Sequence, residues 1–200
     1  MDQTKKDRIL SMFRESGVLR PRDLERAGIS GVYLNKLHAE GILDRPSRGI
    51  YTLVDGEPSE NHSIAQACKQ IPRGTICLLS ALRLHDLTTQ SPFEVWLAIG
   101  EKSRLPKIDS PPLRIVRFSG DALSYGVVEQ EIEGVAIRSY SPAKTVADCF
   151  KYRNKIGLDV AIEALRDCLT QRKATMDEIW EAAKVCRMSK VMRPYMESVM

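Results

Sequence analysis

The residues that could form a general acid-base pair are a histidine and the carboxylate that follows it. His85 is followed directly by Asp86, and a histidine oriented by a carboxylate is a common general base. Adjacent side chains on a helix diverge by about 100°, so these two cannot face one site together. We therefore predict a packing or solvent role for both residues, and the sequence predicts no catalytic residue and no enzyme.

Spacing also predicts no metal ion and no cofactor. The five cysteines are scattered without a C-x-x-C pair, and no two Cys or His residues stand three or four apart. No glycine-rich loop of the nucleotide-binding types is present. The cysteines are expected to be small core residues in a reducing compartment. With no apolar run long enough to span a bilayer and no signal peptide, we expect a cytoplasmic protein with no membrane partner.

A second set of side chains is basic or polar and could bind DNA. Residues 1–54 contain ten Lys or Arg against seven Asp or Glu. Their net charge of +3 accounts for most of the net charge of +4 of the whole chain. Basic groups neutralise phosphates, and an asparagine amide can read an adenine edge. The candidate DNA-binding residues are Arg20, Arg22, Ser30, Asn35, Lys36, Arg45, Ser47 and Arg48.

Three short helices are predicted to position these residues. Apolar residues recur at helical spacing in 4–15, and Gly17 ends that helix. Pro21 suits the first turn of a second helix that Gly28 terminates. Ser30 is the predicted N-cap of a third helix, which Gly41 closes. The inward side chains are predicted to be Ile9, Leu10, Phe13, Leu24, Ala27, Leu34 and Leu37, and the outward ones of the third helix Val32, Asn35, Lys36 and Ala39.

A small hairpin is predicted to follow the third helix. Strand-like runs at 42–45 and 49–53 flank Pro46-Ser47-Arg48, which is rich in turn-forming residues. Three helices and a hairpin are typical of a winged helix-turn-helix, in which helix 30–40 would enter a major groove. The wing at 45–48 would contact the backbone, and Arg20 and Arg22 would hold phosphates. The same fold can instead serve as a protein-docking module.

The rest of the chain is predicted to be a second domain. A polar segment, 54–60, separates domain 1–54 from domain 61–200. We predict a helix at 61–70, a strand at 74–79, a helix capped by Ser80, and strands at 93–99, 113–118 and within 127–140. From Ser141-Pro142 onward, four amphipathic helices form a helical layer. The fold class is α+β, a winged helix-turn-helix followed by a mixed α/β domain ending in helices.

Three stretches of the N-terminal domain resemble a known family. Residues 16–30, 33–43 and 48–53 are similar to the N-terminal domain of the AbiEi antitoxins of type IV toxin-antitoxin systems, and residues 78–88 and 141–150 are similar to recurrent stretches of that family's C-terminal domain. The resemblance implies a repressor that binds double-stranded DNA upstream of its own operon. It also implies a C-terminal domain that neutralises a partner toxin of the nucleotidyltransferase type, as in phage defence.

Two alternatives remain open for the second domain. It could be an enzyme whose best candidate side chains are Ser80, Asp121 and Asp148, with Ser80 otherwise explained as a cap and Asp148 as a surface carboxylate in a weak ion pair with Lys144. It could also be a ligand-sensing or dimerising domain of a repressor that has no toxin.

Overall fold

A computed structural model describes residues 3–57 and 59–199. Residues 1, 2, 58 and 200 lie outside the described residues; they include the outer ends of both predicted domains and Pro58 of the predicted linker. Contacts divide the described chain into two units. Unit 1 contains the residues up to Pro72 with Pro106–Pro112 and Glu131–Ile137, and unit 2 contains Arg73–Leu105, Leu113–Gln130 and the residues from Arg138 onward. The predicted boundary at 54–60 stays a prediction.

Unit 1 begins with three helices and a two-stranded antiparallel hairpin. The helices are α1 (Gln3–Glu15), α2 (Pro21–Arg26) and α3 (Val32–Ala39), and the hairpin strands are β1 (Leu43–Ser47) and β2 (Ile50–Leu53). An isolated antiparallel bridge between Leu19 and Tyr51 adds a third extended segment to the hairpin. A fourth helix, α4 (His62–Gln70), follows the hairpin.

The core of these elements confirms the predicted inward faces. Ile9, Phe13, Leu24, Leu34 and Leu37 are each at most 2% exposed. Leu10 and Ala27 are half-buried, and the four predicted outward residues of α3 are exposed. Burying one apolar stripe from each short helix is what stabilises elements too short to persist alone.

The hairpin turn begins two residues later than predicted and ends one residue later. Arg48 and Gly49 form the turn, and Gly49 adopts φ +77°, which glycine tolerates without strain. Pro46 and Ser47 lie in β1, and the strand register shifts between Asp44 and Ser47. A proline is accepted at such an irregularity because the ladder there does not need its missing N–H.

Glu133 holds the outlying segment Glu131–Ile137 within unit 1. Its carboxylate accepts hydrogen bonds from the backbone N–H of Ser59 (3.0 Å) and from His62 Nδ1 (2.7 Å). Burial pushes the pKa of Glu133 up, but the hydrogen bonds from Ser59 and His62 outweigh burial and lower it.

Most residues of a mixed five-stranded sheet belong to unit 2, and the order of its strands is β5-β4-β3-β7-β6. The strands are β3 (Thr75–Ile76), β4 (Val95–Gly100), β5 (Leu113–Phe118), β6 (Val127–Ile132) and β7 (Val135–Tyr140). Strand β4 is antiparallel to β3 and parallel to β5, and β3 is parallel to β7. The predicted strands at 93–99, 113–118 and within 127–140 are therefore present, with small shifts at their ends.

Seven helices of unit 2 accompany the sheet in the described part of the chain. They are α5 (Leu78–Leu84), α6 (Asp121–Ser124), α7 (Pro142–Lys151), α8 (Arg153–Ile156), α9 (Leu158–Thr170), α10 (Met176–Val185) and α11 (Ser189–Glu197). Ser141 caps α7 by accepting from the N–H of Lys144, and Pro142 takes the first turn, both as predicted. Helices α6 and α8, of four residues each, were not predicted.

Two predictions about single residues of unit 2 are wrong. Ser80 is not an N-cap, because α5 begins earlier, at Leu78, and Ser80 lies inside it with its Oγ accepting from the N–H of Trp96 (2.9 Å). Asp148 is not a surface carboxylate. It is 0% exposed, and one oxygen lies 2.5 Å from Nζ of the equally buried Lys144.

The buried ion pair sits among aromatic and sulfur groups. Lys144 Nζ lies 4.1 Å from the Tyr140 ring centroid and 4.8 Å from that of Phe118. Cys186 Sγ donates to the second oxygen of Asp148 at 3.3 Å. Both charges thus have partners, which is the condition for carrying them in a core.

All five cysteines are buried, as the sequence predicted. Within residues 3–57 and 59–199, no helix is both long enough and apolar enough to cross a membrane.

We expect Asp148→Ala to lower the free energy of unfolding by about 3–5 kcal/mol, because it leaves the Lys144 ammonium buried without its counter-charge. Urea unfolding measures this. The exposed pair Glu181–Lys184, 2.6 Å apart, is the matched control, and Glu181→Ala should cost no more than about 1 kcal/mol. Lys144→Met combined with Asp148→Leu should cost less than Asp148→Ala alone. Equal losses for Asp148→Ala and Glu181→Ala would contradict this account of the core.

Candidate nucleic-acid interface

Helix α3 presents a mixed polar face to solvent. Asn35 and Lys36 are exposed, and Val32 at the start of the helix is 58% exposed. Ser30 lies just before α3, exposed, with its Oγ accepting from the N–H of Val32 at 3.4 Å. The predicted N-cap, Ser30, is wrong by one position, because α3 begins at Val32 and its N-cap is Gly31.

Gly31 permits the close approach of α3 to α2. A Cβ at this position would lie 2.7 Å from Cβ of Pro21. Because Pro21 is rigid, that clash could not be relieved by a rotamer change. The missing side chain therefore allows the two helices to pack in the tight arrangement of a helix-turn-helix.

Tyr51 connects α3 to the hairpin. The residue is 2% exposed, and its hydroxyl donates to Oδ1 of Asn35 at 2.6 Å. The Arg45 guanidinium lies 5.6 Å from the Tyr51 ring centroid, and the ring of His38 meets it edge-on at 6.4 Å. Asn35 at the hydroxyl and Arg45 over the ring are thus both positioned by the buried Tyr51 side chain.

The hairpin turn projects one exposed cation. Arg48 occupies the turn and is exposed, as is Arg45 on β1. Ser47 is placed differently from the prediction. It is buried, and its hydroxyl donates to Oε1 of Gln70 at 3.1 Å, which fixes the base of the turn to α4.

Arg20 and Arg22 lie at the start of α2. The Leu19–Tyr51 bridge, with N···O distances of 3.1 and 2.9 Å, fixes the backbone just before Arg20. The N–H of Arg20 donates to Oδ2 of Asp23 at 2.8 Å, and the same oxygen lies 3.0 Å from Nζ of Lys69. Arg22 is exposed.

The guanidinium of Arg20 has one nitrogen, Nε, that makes no hydrogen bond among the described residues. This nitrogen is buried, and the nearest carboxylate oxygen, on Asp23, is 4.0 Å away. Burial, followed by the neighbouring charge of Arg22, lowers the pKa of Arg20. The Nε of Arg20 is therefore a donor without a hydrogen bond among the described residues, with Asp23 as its neighbouring counter-charge.

Two aromatic residues of this surface were missed by the sequence reasoning. Tyr33 carries cations over its ring, with Nζ of Lys36 at 5.4 Å and of Lys5 at 5.9 Å from the centroid. Tyr51 was assigned only to a strand. The tyrosines orient the polar side chains, and no spacing rule for binding residues would have selected them.

The side chains proposed for an enzymatic reaction are not brought together. Ser80 is buried within α5, Asp148 is buried against Lys144, and Asp121 is exposed at the start of α6. His85 Nε2 donates to the carbonyl of Tyr140 at 2.7 Å, whereas Asp86 lies 3.3 Å from Lys173. Burial lowers the pKa of His85. His85 and Asp86 face different partners, as the sequence indicated.

Comparison with protein families supports the resemblance in the N-terminal part. Residues 7–54 match the family model described as "Transcriptional regulator, AbiEi antitoxin". The match covers α2, α3 and the hairpin with most of α1, and these elements fit a winged helix-turn-helix. The N-terminal part of the chain is therefore similar to that family.

Comparison with solved structures finds a similar fold across nearly the whole chain. The crystal structure of the RV2827C protein from Mycobacterium tuberculosis is similar, with a TM-score of 0.52 and 12% sequence identity. The alignment covers 98% of this chain and 80% of the RV2827C chain. Among curated proteins, no sequence matches.

We expect Tyr51→Phe to lower the free energy of unfolding by about 0.5–1.5 kcal/mol, because it removes one partly buried hydrogen bond and keeps the packed ring. Urea unfolding measures the change. Tyr33→Phe, on the partly exposed tyrosine of α3, is the control and should stay within about 0.5 kcal/mol of the original protein. A larger loss from Tyr33→Phe than from Tyr51→Phe would contradict the central position of Tyr51.

Proposed function

We propose that this protein is a transcriptional repressor and antitoxin that binds double-stranded DNA upstream of its own operon and neutralises a partner toxin of the nucleotidyltransferase type. Helix α3 enters the major groove, and the wing contacts the backbone. The predicted wing at 45–48 is extended here to residues 45–49, because Gly49 belongs to the hairpin turn. The observation that carries the proposal is the link from the exposed Asn35 through Tyr51 to the wing.

Base reading is assigned to α3. Asn35 is exposed, and its Oδ1 accepts from Tyr51, so the amide NH₂ remains to donate outward. An asparagine on a recognition helix can bond an adenine edge in the major groove. Ser30 and Lys36 flank it on the same segment and would contact the phosphates at the groove edge.

Phosphate contacts are assigned to the cations around α3. Arg48 at the wing turn, Arg45 on β1 and Arg22 on α2 are exposed, and Arg20 lacks a hydrogen bond at Nε among the described residues. Such contacts fix the position of a protein on the duplex without reading its sequence. Ser47 supports the wing from within through its hydrogen bond to Gln70.

We expect Lys36→Ala and Arg48→Ala each to weaken binding to the upstream duplex roughly threefold to tenfold at low salt and to reduce the salt dependence by about one unit of slope, because each removes one phosphate contact. Gel-shift titration over a series of salt concentrations measures both quantities. Arg166→Ala, an exposed charge removal on α9, is the control for net charge. Unchanged affinity and slope in both test variants would remove the proposed contact surface.

The antitoxin part of the proposal assigns the neutralising work to the second domain, 61–200. It is supported by the family match of residues 7–54 and by the similarity of residues 78–88 and 141–150 to the AbiEi C-terminal domain. A repressor of its own operon acts where the chromosome is, and the proposal therefore places the protein in the cytoplasm.

We expect the unmodified protein to restore growth when it is co-expressed with a nucleotidyltransferase-like toxin encoded directly beside it. The combined variant Lys36→Ala/Arg48→Ala should restore growth equally, because its changes lie outside the neutralising domain. Colony counts with and without induction measure this, with the toxin alone as the control. Failure of the unmodified protein to restore growth, or the lack of such a neighbouring reading frame, would contradict the antitoxin assignment and leave the DNA assignment standing.

A further inference from the structure

Four cations line one cavity of unit 1. The cavity has a volume of about 500 Å³ and is bordered by the start of α2, by the wing turn and by the segment Pro106–Pro112. Two carboxylates, Glu25 and Asp109, line it as well, so basic groups are in excess. The cations are Arg20, Arg22, Arg48 and Lys107.

The segment Pro106–Pro112 is attached to the wing through one glutamine. Gln70 Nε2 donates to the carbonyl of Ser110 at 2.8 Å, while its Oε1 accepts from Ser47 at 3.1 Å. Pro111 is buried. Lys107 and Asp109 are therefore placed beside the wing by specific bonds within unit 1, even though they are far from the winged helix in sequence.

The excess of cations over carboxylates in the lining favours an anion in this cavity. Arg20 Nε is buried without a hydrogen bond among the described residues, and the carboxylate nearest to it already accepts from the Arg20 backbone and from Lys69. Arg22, Arg48 and Lys107 line the cavity with exposed side chains, and guanidinium and ammonium groups both bond phosphates strongly. Arg48 belongs to both the cavity and the wing turn, so a duplex held by the wing would bring its backbone to this cavity.

We propose that the cavity binds a backbone phosphate of the duplex and that Lys107 is a DNA-contacting residue outside the winged helix. This inference rests on the proposed function and extends the contact surface to the segment Pro106–Pro112. Asp109 opposes the phosphate from the same segment and limits the affinity.

The experiment measures fluorescence anisotropy of the labelled upstream duplex over a series of salt concentrations. Lys107→Ala should weaken binding roughly threefold to tenfold at low salt and reduce the salt slope by about one unit. Asp109→Asn should tighten binding, because it removes a negative charge facing the phosphate. Lys102→Ala, an exposed lysine that does not line the cavity, is the matched control and should leave affinity and slope unchanged. Thermal unfolding of each variant confirms that the exposed changes leave the fold intact.

A second arm distinguishes duplex phosphate from free phosphate. Inorganic phosphate is titrated at constant ionic strength, and its effect on the unfolding temperature is followed in the original protein and in Lys107→Ala. A Lys107-dependent stabilisation by phosphate, with duplex affinity unaffected by Lys107→Ala, would overturn the DNA assignment in favour of a free anion. If Lys107→Ala behaves like Lys102→Ala while Arg48→Ala weakens binding, this inference fails and the proposed function stands. If the original protein does not bind the duplex, both fail.

Discussion

The burial of the Tyr51 side chain is the constraint on which the candidate interface depends. A buried phenol needs a hydrogen-bond partner for its hydroxyl, and Tyr51 finds that partner in Asn35 on the exposed face of α3. The backbone of the same residue bridges Leu19 and so places Arg20, while its ring supports Arg45. One packed residue therefore sets the positions of the Asn35 amide and of Arg45 through its side chain, and of Arg20 through its backbone. A surface made of short helices and a two-stranded hairpin can hold such an arrangement only when its parts share a core.

Unit 2 is organised around a buried helix that carries an ion pair. Its central helix, α7, is buried along nearly all of its length, from Ala143 to Phe150. The helix carries a lysine and an aspartate into the core, where each is satisfied by the other and by Tyr140, Phe118 and Cys186. Removing one partner of such a pair costs more than never having had it. The pair thus ties the position of α7 to those of the strands and helices that carry the aromatic and sulfur groups, and we interpret it as a structural group.

The sequence predicted the elements that depend on local periodicity. It did not predict the residues whose positions depend on tertiary burial. The inward face of α3, the Ser141 cap and strand β5 follow from spacing and propensity. Asp148 could not be placed, because an i, i+4 ion pair looks the same on an exposed helix and on a buried one. Ser80 was misassigned since a run of apolar residues fits a buried strand as well as a buried helix. The link from Ser47 through Gln70 to Ser110 joins residues distant in sequence, and no single-sequence pattern reports such a contact.

The central claim is that α3 and the wing together form the surface that meets duplex DNA. Its most direct test is a titration of ¹⁵N-labelled protein with the duplex upstream of its operon, followed by amide chemical shifts. The account predicts that the largest shifts fall at residues 30–40 and 45–49, with the side-chain amide of Asn35 among them. Saturable binding whose shifts leave these two segments unchanged and fall in other parts of the chain would contradict it.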